Sequence, residues 1–447
     1  MGKFMLCCVN GQTGQACLQQ ARAPLLLQGL VGAPPLQMVD DILGIQKCSS
    51  KSLQLNSTIN TFINLEKLTL SKKKCHNVHI GTDNRHCPAL TIHGSKMQST
   101  DQETYLGDLV DKSGSGRPNI EKRKSRGYGI TTNVLAIVDE VPLAHWKVQA
   151  GLSLRQAMLL NGMLFNSEAW HGVTEKDIIL LEKVDEALLR GILSAHSKIP
   201  LEALFLESKS IPIRYIVASR RIMYLHTILQ KDENEMVRKV YEAQKVQPSS
   251  GDFIQLVKED CAKIGLDMSD KEIGKTQKQK FKNIVKSKVI TAAFNYLQTL
   301  QQSHSKMKNI KYDKFELSPY LSSPLFNSDS RSLLLALRTR TVRGIRSDFG
   351  GLYPDKRCPL GCGDMDTLKN ILTCNVLKQS HTSHDVTNGD IRYEDIFSPD
   401  INKQKQVTEL YRQLLETRNK IISSQPVANT GPVHRVQALQ RPSVLSY

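Results

Sequence analysis

Between residues 34 and 112 the chain carries short apolar runs, PLQMV, ILGI, CHNVHIG, ALTIHG and ETYLGDLV, separated by turn-forming residues. Runs of this length and punctuation predict strands. Leu55, Ile59, Phe62, Ile63, Leu65 and Leu68 fall mostly three or four positions apart and predict one helix among the strands. Strands and helix together make a small α+β unit. Residues 1–33 show no clear period and read as an irregular leader.

The pattern changes after Asp111. The stretch DKSGSGRPNIEKRKSRGYG combines Gly, Ser and Pro with a basic run, Lys122, Arg123, Lys124 and Arg126, and reads as a connection between domains. Beyond it the period becomes helical. In GVTEKDIILLEKVDEALLRGIL, Thr174 and Asp177 form a capping box, and Ile178, Leu181, Val184, Leu188 and Ile192 make one apolar stripe. Similar stripes in SLRQAMLLNGMLF, IVASRRIMYLHTIL and NEMVRKVYEAQ predict a mainly helical bundle over residues 150–345. The resulting division is a leader (1–33), a sheet-containing unit (34–112), a helical region (113–235), a basic helical region (236–350), a cysteine-bearing segment (351–385), and a C-terminal helix with a frayed tail (386–447).

Charge narrows the class of partner. With 60 Lys+Arg against 43 Asp+Glu the net charge is +17, which favours a polyanion, nucleic acid before a membrane surface. No run approaches the roughly 18 to 20 apolar residues that span a bilayer. Gly2 and the Cys7–Cys8 pair invite comparison with an acylation signal, but Leu6 stands where such a signal needs Ser or Thr. The ten cysteines are scattered except for three near the C-terminus, a distribution that points to metal before disulfide in an intracellular setting.

The stretch PPLQMVDDILGI sets Asp40 and Asp41 at the tip of an apolar hairpin. An acidic tip can be an ordinary turn, because Asp tolerates the positive φ that such turns demand. Adjacent carboxylates also repel, and a divalent cation relieves that repulsion, with Mg²⁺ suited to oxygen ligands of this kind. Nucleotidyl-transfer enzymes use such acids to hold two metals about 4 Å apart.

Read with its surroundings, MVDD resembles the active-site hairpin of reverse transcriptases. LTLSKKKCHNVHIG, with Lys74, resembles the next palm motif of retroelement polymerases. ETYLGDLVD resembles the primer-grip motif, a strand built on Tyr105, Leu106 and Gly107, and NIEKRKSRG is similar to the segment that follows it. LFNSEAWHG, the capped helix and PLEALFLESKSIPIRYIVASRRIMYLHTIL look like the thumb and post-thumb region of non-LTR (LINE-like) retrotransposon polyproteins, so the resemblance covers about residues 34–378. It implies an α+β fold: a partial reverse-transcriptase palm, with a small antiparallel sheet and a helix, then a mainly α-helical thumb and C-terminal region. It also implies an RNA-directed DNA polymerase, a nucleotidyltransferase in which Asp40 and Asp41 hold Mg²⁺. Lys74 would lie near the incoming phosphates and Tyr105 to Gly107 against the primer.

That family carries fingers and a further metal-binding aspartate upstream of the hairpin. The 39 residues before Asp40 contain no Asp or Glu, and two-metal chemistry needs a carboxylate facing the pair from a second strand. The expectation is a polymerase remnant that is inactive as this chain. The alternative is a nucleic-acid-binding helical module without enzymatic activity.

In RCPLGCGDMDTLKNILTC, Cys358, Cys362 and Cys374 carry zinc-like spacing, with Pro and Gly shaping the first turn. Related retrotransposon proteins have a knuckle of Cys, Cys, His and Cys there, and the histidine position is Asn370. His381 or His384 could supply a fourth donor to Zn²⁺, or the site is degenerate and packs as a small helical hairpin. The scatter of Cys75, His76, His79, His86, Cys87 and His93 reads as coincidence.

Two basic segments remain. Lys275, Lys278, Lys280, Lys282, Lys286 and Lys288 surround a helix with apolar Ile284, Val285, Val289 and Phe294, which suits either a solvated face or phosphate binding. Arg338, Arg340, Arg343 and Arg346 add guanidinium groups able to clamp phosphates bidentately. Neither segment would read sequence, since phosphate contacts position without specifying.

Overall fold

The computed structural model describes residues 75–80 and 90–424 apart from positions 93, 106, 171, 249–250, 308–309, 350–351, 354 and 381–390, together with the elements at 4–9, 36–38, 41–46 and 49–65. The fold is α+β and mostly helical.

One sheet takes strands from both ends of the first hundred residues. β1 (Phe4–Val9), β2 (Leu36–Met38), β3 (Asp41–Gln46) and β4 (His76–Ile80) are followed by the short β5 (Thr91–Ile92), β6 (Ser95–Lys96) and β7 (Gln98–Ser99). The order across the sheet is β2-β3-β1-β4-β7. β1 runs parallel to β3, with Phe4 opposite Ile42, and parallel to β4, with Met5 opposite His76. β4 and β7 are also parallel. Within this sheet, among the described residues, only β2 and β3 pair antiparallel, so the expected small antiparallel sheet is corrected to a mixed, largely parallel one.

The reading of residues 1–33 as irregular is corrected by the same strand. FMLCCV is an uninterrupted apolar run, the pattern of a central parallel strand rather than of a half-solvated one, and it shows no alternation to detect. Parallel pairing needs a crossover, and the Ser49–Leu65 helix between β3 and β4 packs on β1 and β3. Its Ile59 is buried, and Asn60 donates from Nδ2 to the Thr91 carbonyl at 2.8 Å.

Past the sheet, β8 (Gln102–Tyr105) and β9 (Asp108–Asp111) form a separate hairpin. The basic run after it is not a linker. After a turn, residues Arg117–Glu140 form one helix, and Lys122, Arg123, Lys124 and Arg126 lie in its first half. Only the SGSGRP portion behaves as punctuation, with Pro118 near the helix start, where its missing N–H costs nothing.

The capped helix forms as expected, over Glu175–Ile192. Thr174 N and Oγ1 both donate to Asp177 Oδ2, at 2.9 and 2.7 Å. Ile178, Leu181, Val184, Leu188 and Ile192 are all buried. Arg117 donates to the other Asp177 oxygen at 2.7 Å, and these bonds hold the Asp177 carboxyl below its usual range against the opposing effect of burial. Thr174→Ala should lower the unfolding free energy by about 1 kcal/mol, measured by urea titration. A loss indistinguishable from zero would mean that the cap does not stabilise the helix.

By contact the chain divides into two units, each assembled from three segments. The first is Met1–Val134, Leu154–Ala187 and Ile211–Ala293; the second is Leu135–Ser153, Leu188–Ser210 and Phe294–Tyr447. In the first unit, two buried ion pairs tie helices together. Arg155, in a π-helical turn (Arg155–Leu160), grips Asp185 through Nε at 2.5 Å and Nη2 at 2.6 Å. Arg221 pairs with Asp260. The second unit contains the C-terminal helix expected within 386–447, over Ile401–Ser424, which buries Val407, Tyr411 and Leu414. Among the described residues no helix is long and apolar enough to cross a membrane.

Candidate nucleic-acid interface and metal centre

The acidic hairpin exists. Met38 pairs with Asp41 across the antiparallel β2 and β3. Asp40 and Lys74 lie outside the described residues. Asp41 opens β3, and β1 beside it carries no acid. Among the described residues no group of carboxylates is placed to hold a metal ion, so magnesium at Asp40 and Asp41 has no support here beyond the hairpin itself.

Of the expected primer-side strand, Tyr105 pairs with Asp108 across the β8–β9 hairpin and Gly107 lies at the hairpin's tip. Tyr105 is the last residue of β8 and is buried, Leu106 lies outside the described residues, and Gly107 has φ +88°, a conformation that favours glycine. A buried network pins this tip to the Arg117–Glu140 helix. Arg123 Nη2 donates to the Gly107 carbonyl at 2.8 Å and to Asp108 Oδ1 at 2.7 Å. Asn119 and Asn166 donate to the two Asp108 oxygens at 3.2 and 2.5 Å. The Phe165 ring lies against both Gly107 and Arg123. Local sequence shows no sign of this network: Arg123 sits in a basic run that reads as a connection between domains, and its partners lie in the preceding hairpin.

The lysine segment is presented as a surface. The helix Lys278–Ser303 buries Phe281, Val285, Val289, Ala293 and Leu297, one residue every four. Ile284 and Phe294 of the expected apolar set are only half-buried. Lys275, Lys278, Lys280, Lys282, Lys286 and Lys288 are all exposed. Lys278, Lys282 and Lys286, at i, i+4 and i+8, follow one another along one face. None of the six has an ion-pair partner among the described residues, and the stretch Ile273–Tyr312 contains no Asp or Glu. The helix start is held by His226, which stacks on Phe281 with 4.9 Å between ring centroids and hydrogen-bonds the Thr276 carbonyl at 2.8 Å. A solvated helix face ordinarily mixes both signs of charge, and this one does not.

The arginine segment is corrected in part. Arg338 is no phosphate clamp: it is buried and donates from Nε to Glu207 Oε1 at 2.8 Å and from Nη1 to the Ile396 carbonyl at 3.3 Å. Glu207, itself fully buried, also accepts from Tyr312 Oη at 2.6 Å and from Ser318 Oγ. Arg340 is half-buried with φ +51° and lies 3.5 Å from Asp348. Burial raises the Asp348 carboxyl to about 6, against the lowering effect of Arg340 and Lys306. Arg346 leans over the Tyr353 ring. Of the four arginines, Arg343 alone is exposed.

The cysteines converge as expected. The Cys358, Cys362 and Cys374 sulfurs lie within 4.8 Å of one another, close to the roughly 3.8 Å separation that tetrahedral thiolates bound at about 2.3 Å to one zinc would have. The turn between the first two uses Gly361 at φ +79° and Gly363 at φ +92°. Cys358 N donates to the Asp364 carbonyl at 2.8 Å, and Arg357 bridges to Met365. Thr367 caps the Leu368–Thr373 helix through Asn370 N at 3.0 Å, which delivers Cys374 from the far end. Burial pushes the Cys358 thiol up to about 11. At Cys362 burial acts in the same direction, but the Asp364 N–H, the two neighbouring thiols and Asn370 outweigh it and hold that thiol below its usual value. Asn370 Nδ2 lies 3.6 Å from Cys362 Sγ, so the amide stands beside the thiol set. His381 and His384 lie outside the described residues.

The whole segment is anchored from the Ile401–Ser424 helix. Arg418 donates to Asp366 Oδ2 at 2.8 Å, and Tyr411 donates to the Leu368 carbonyl at 2.8 Å. The group can therefore hold a metal ion such as zinc. The other sulfur and imidazole positions do not join it. Cys75 is buried, His76 Nδ1 lies 2.5 Å from Glu103, and His79 contacts Asn77, while His86, Cys87 and His93 fall outside the described residues. No family model matches the chain, and no curated protein or solved structure is significantly similar to it.

Proposed function

We propose that this chain is a nucleic-acid-binding helical protein descended from a non-LTR reverse transcriptase and inactive as a polymerase on its own. The observation that carries the binding is the set of exposed, unneutralised lysines along Lys275–Lys288. Lysines that neutralise phosphates release counterions, so affinity depends steeply on salt. A contact of this kind is largely indifferent to base sequence. The three-cysteine segment supports the same reading as a small metal-stabilised appendage. Descent rests on the motifs MVDD, Lys74 and Tyr105–Gly107 in their order along the chain.

The test is binding to a labelled duplex over a salt series. Replacing Lys278, Lys282 and Lys286 together by Ala should weaken binding and flatten the log–log salt slope by about 0.9 per lysine. An unchanged slope would remove the lysine face from the interface. Primer extension with Mg²⁺ or Mn²⁺ should be absent in the same preparation, and template-dependent incorporation abolished by Asp40→Ala would overturn the inactive reading.

A further inference from the structure

The second unit gathers basic side chains from three segments far apart in sequence. The loop after the Glu175–Ile192 helix is folded back by Arg190, which donates from Nη1 to the His196 carbonyl at 2.8 Å and from Nη2 to the Ile199 carbonyl at 2.9 Å. Lys198 N donates to His196 Nδ1 at 3.2 Å. Ser332 Oγ, on the Ser328–Arg338 helix, donates to the Ser194 carbonyl at 2.7 Å and ties the loop to that helix. Arg340, at positive φ, turns the chain after the helix, and the His196 ring meets the Thr341 backbone just beyond it. Lys306 completes the cluster. Burial, with Arg340 and Lys198, lowers its ammonium against the raising effect of Asp348, and burial pushes His196 down to about 4, helped by Arg343, Arg190 and Lys306. His196 is therefore neutral at physiological pH, and the charge of the cluster belongs to the lysines and arginines.

Much of that charge is unanswered. Arg190 is committed to carbonyls, and Arg340 lies 3.5 Å from Asp348, the one acid among the groups that act on Lys306. Lys198 and Arg343 are exposed and have no ion-pair partner among the described residues, while Lys306 is half-buried. Cations held this close repel one another, and an anion laid across them relieves the repulsion.

We infer that Lys198, Lys306 and Arg343 form a second phosphate-binding surface, carried by the second unit, along which a nucleic-acid backbone lies. The inference rests on the reading of the chain as a nucleic-acid binder and adds a contact that the lysine helix does not make, since Lys278, Lys282 and Lys286 belong to the first unit. Arg343 offers a planar fork for two oxygens of one phosphate, and the two lysines offer point charges for phosphates further along a strand. Such contacts fix the position of a backbone without reading its bases.

Binding of the full chain to a labelled DNA duplex over a salt series tests it. The combined variant Lys198→Ala with Arg343→Ala should weaken binding and lower the log–log salt slope by about 1.8, which is about 0.9 for each cation removed. Both side chains are exposed, so the thermal midpoint of this variant should match that of the parent chain. Lys403→Ala with Lys420→Ala removes the same charge from exposed positions of the same unit and should leave the slope unchanged. An equal fall in that control would assign the effect to diffuse charge and overturn the inference. An unchanged slope in the Lys198 and Arg343 variant, with duplex still bound, overturns it too and leaves the lysine helix as the contact. The opposite pattern, in which the Lys278, Lys282 and Lys286 variant keeps the parent slope and the Lys198 and Arg343 variant does not, removes the lysine helix from the interface and supports this surface. Binding to phosphatidylserine vesicles with none to duplex would assign the cluster to lipid and overturn the inference, as would a parent chain that binds neither.

Discussion

Glu207→Ala should lower the unfolding free energy by about 3–5 kcal/mol, because it leaves a buried arginine without its counter-charge. Four donors converge on Glu207: the Arg338 guanidinium and the Tyr312 and Ser318 hydroxyls on its carboxylate, and the Ser318 N–H on its backbone carbonyl at 2.9 Å. Truncation orphans the first three at once. Water cannot replace the carboxylate cheaply, since Glu207 is fully buried and the Arg338 side chain only 9% exposed. Glu207→Gln keeps an acceptor and the shape, and should cost less than the alanine variant. Arg338→Ala should destabilise comparably while leaving the salt dependence of nucleic-acid binding untouched. Chemical denaturation and a binding series on the same protein separate the two roles. A slope smaller by about one with stability unchanged would return Arg338 to the phosphate surface.

Asn370→His should tighten zinc binding at Cys358, Cys362 and Cys374 by about tenfold or more, equivalent to about 1.4 kcal/mol. Three thiolates provide most of the charge that zinc needs, and structural sites close the set with a fourth sulfur or imidazole nitrogen. The Asn370 amide already stands 3.6 Å from Cys362 Sγ, so an imidazole on the same helical position would reach the ion without moving backbone. An amide is neutral and a weak donor to zinc. Cys374→Ser should reduce affinity far below that of the parent chain. Competition against a chelator of known affinity measures both. Equal affinities for the parent and Asn370→His would show that position 370 does not face the ion, and full binding by Cys374→Ser would dissolve the site altogether.

Features written in local spacing were legible. The Thr174–Asp177 cap, the pairing of β2 with β3, and the turn between Cys358 and Cys362 each depend on residues a few positions apart. Their chemistry is visible in one window of sequence. Features that depend on distant partners were not. Arg123 sits in a basic run that looks like a linker, and only Asp108 and Gly107 from the preceding hairpin turn it into a buried anchor. Arg338 belongs to a series of arginines that looks like a phosphate surface, and Glu207, far earlier in the chain, takes it out of solvent. The lysine face lies between these cases. Its charge was plain, but that its lysines stay unpaired was decided by the absence of nearby acids in space.

The central place of β1 has a consequence for biosynthesis. Phe4–Val9 leaves the ribosome long before β3 and β4, the strands that flank it. Both of its hydrogen-bonding edges stand open until Asp41–Gln46 emerges, and one stays open until His76–Ile80 follows, a state prone to adhering to other nascent chains. Non-local pairing of this kind is slow to form, so the exposed strand should make folding yield sensitive to chaperones that cover it during synthesis.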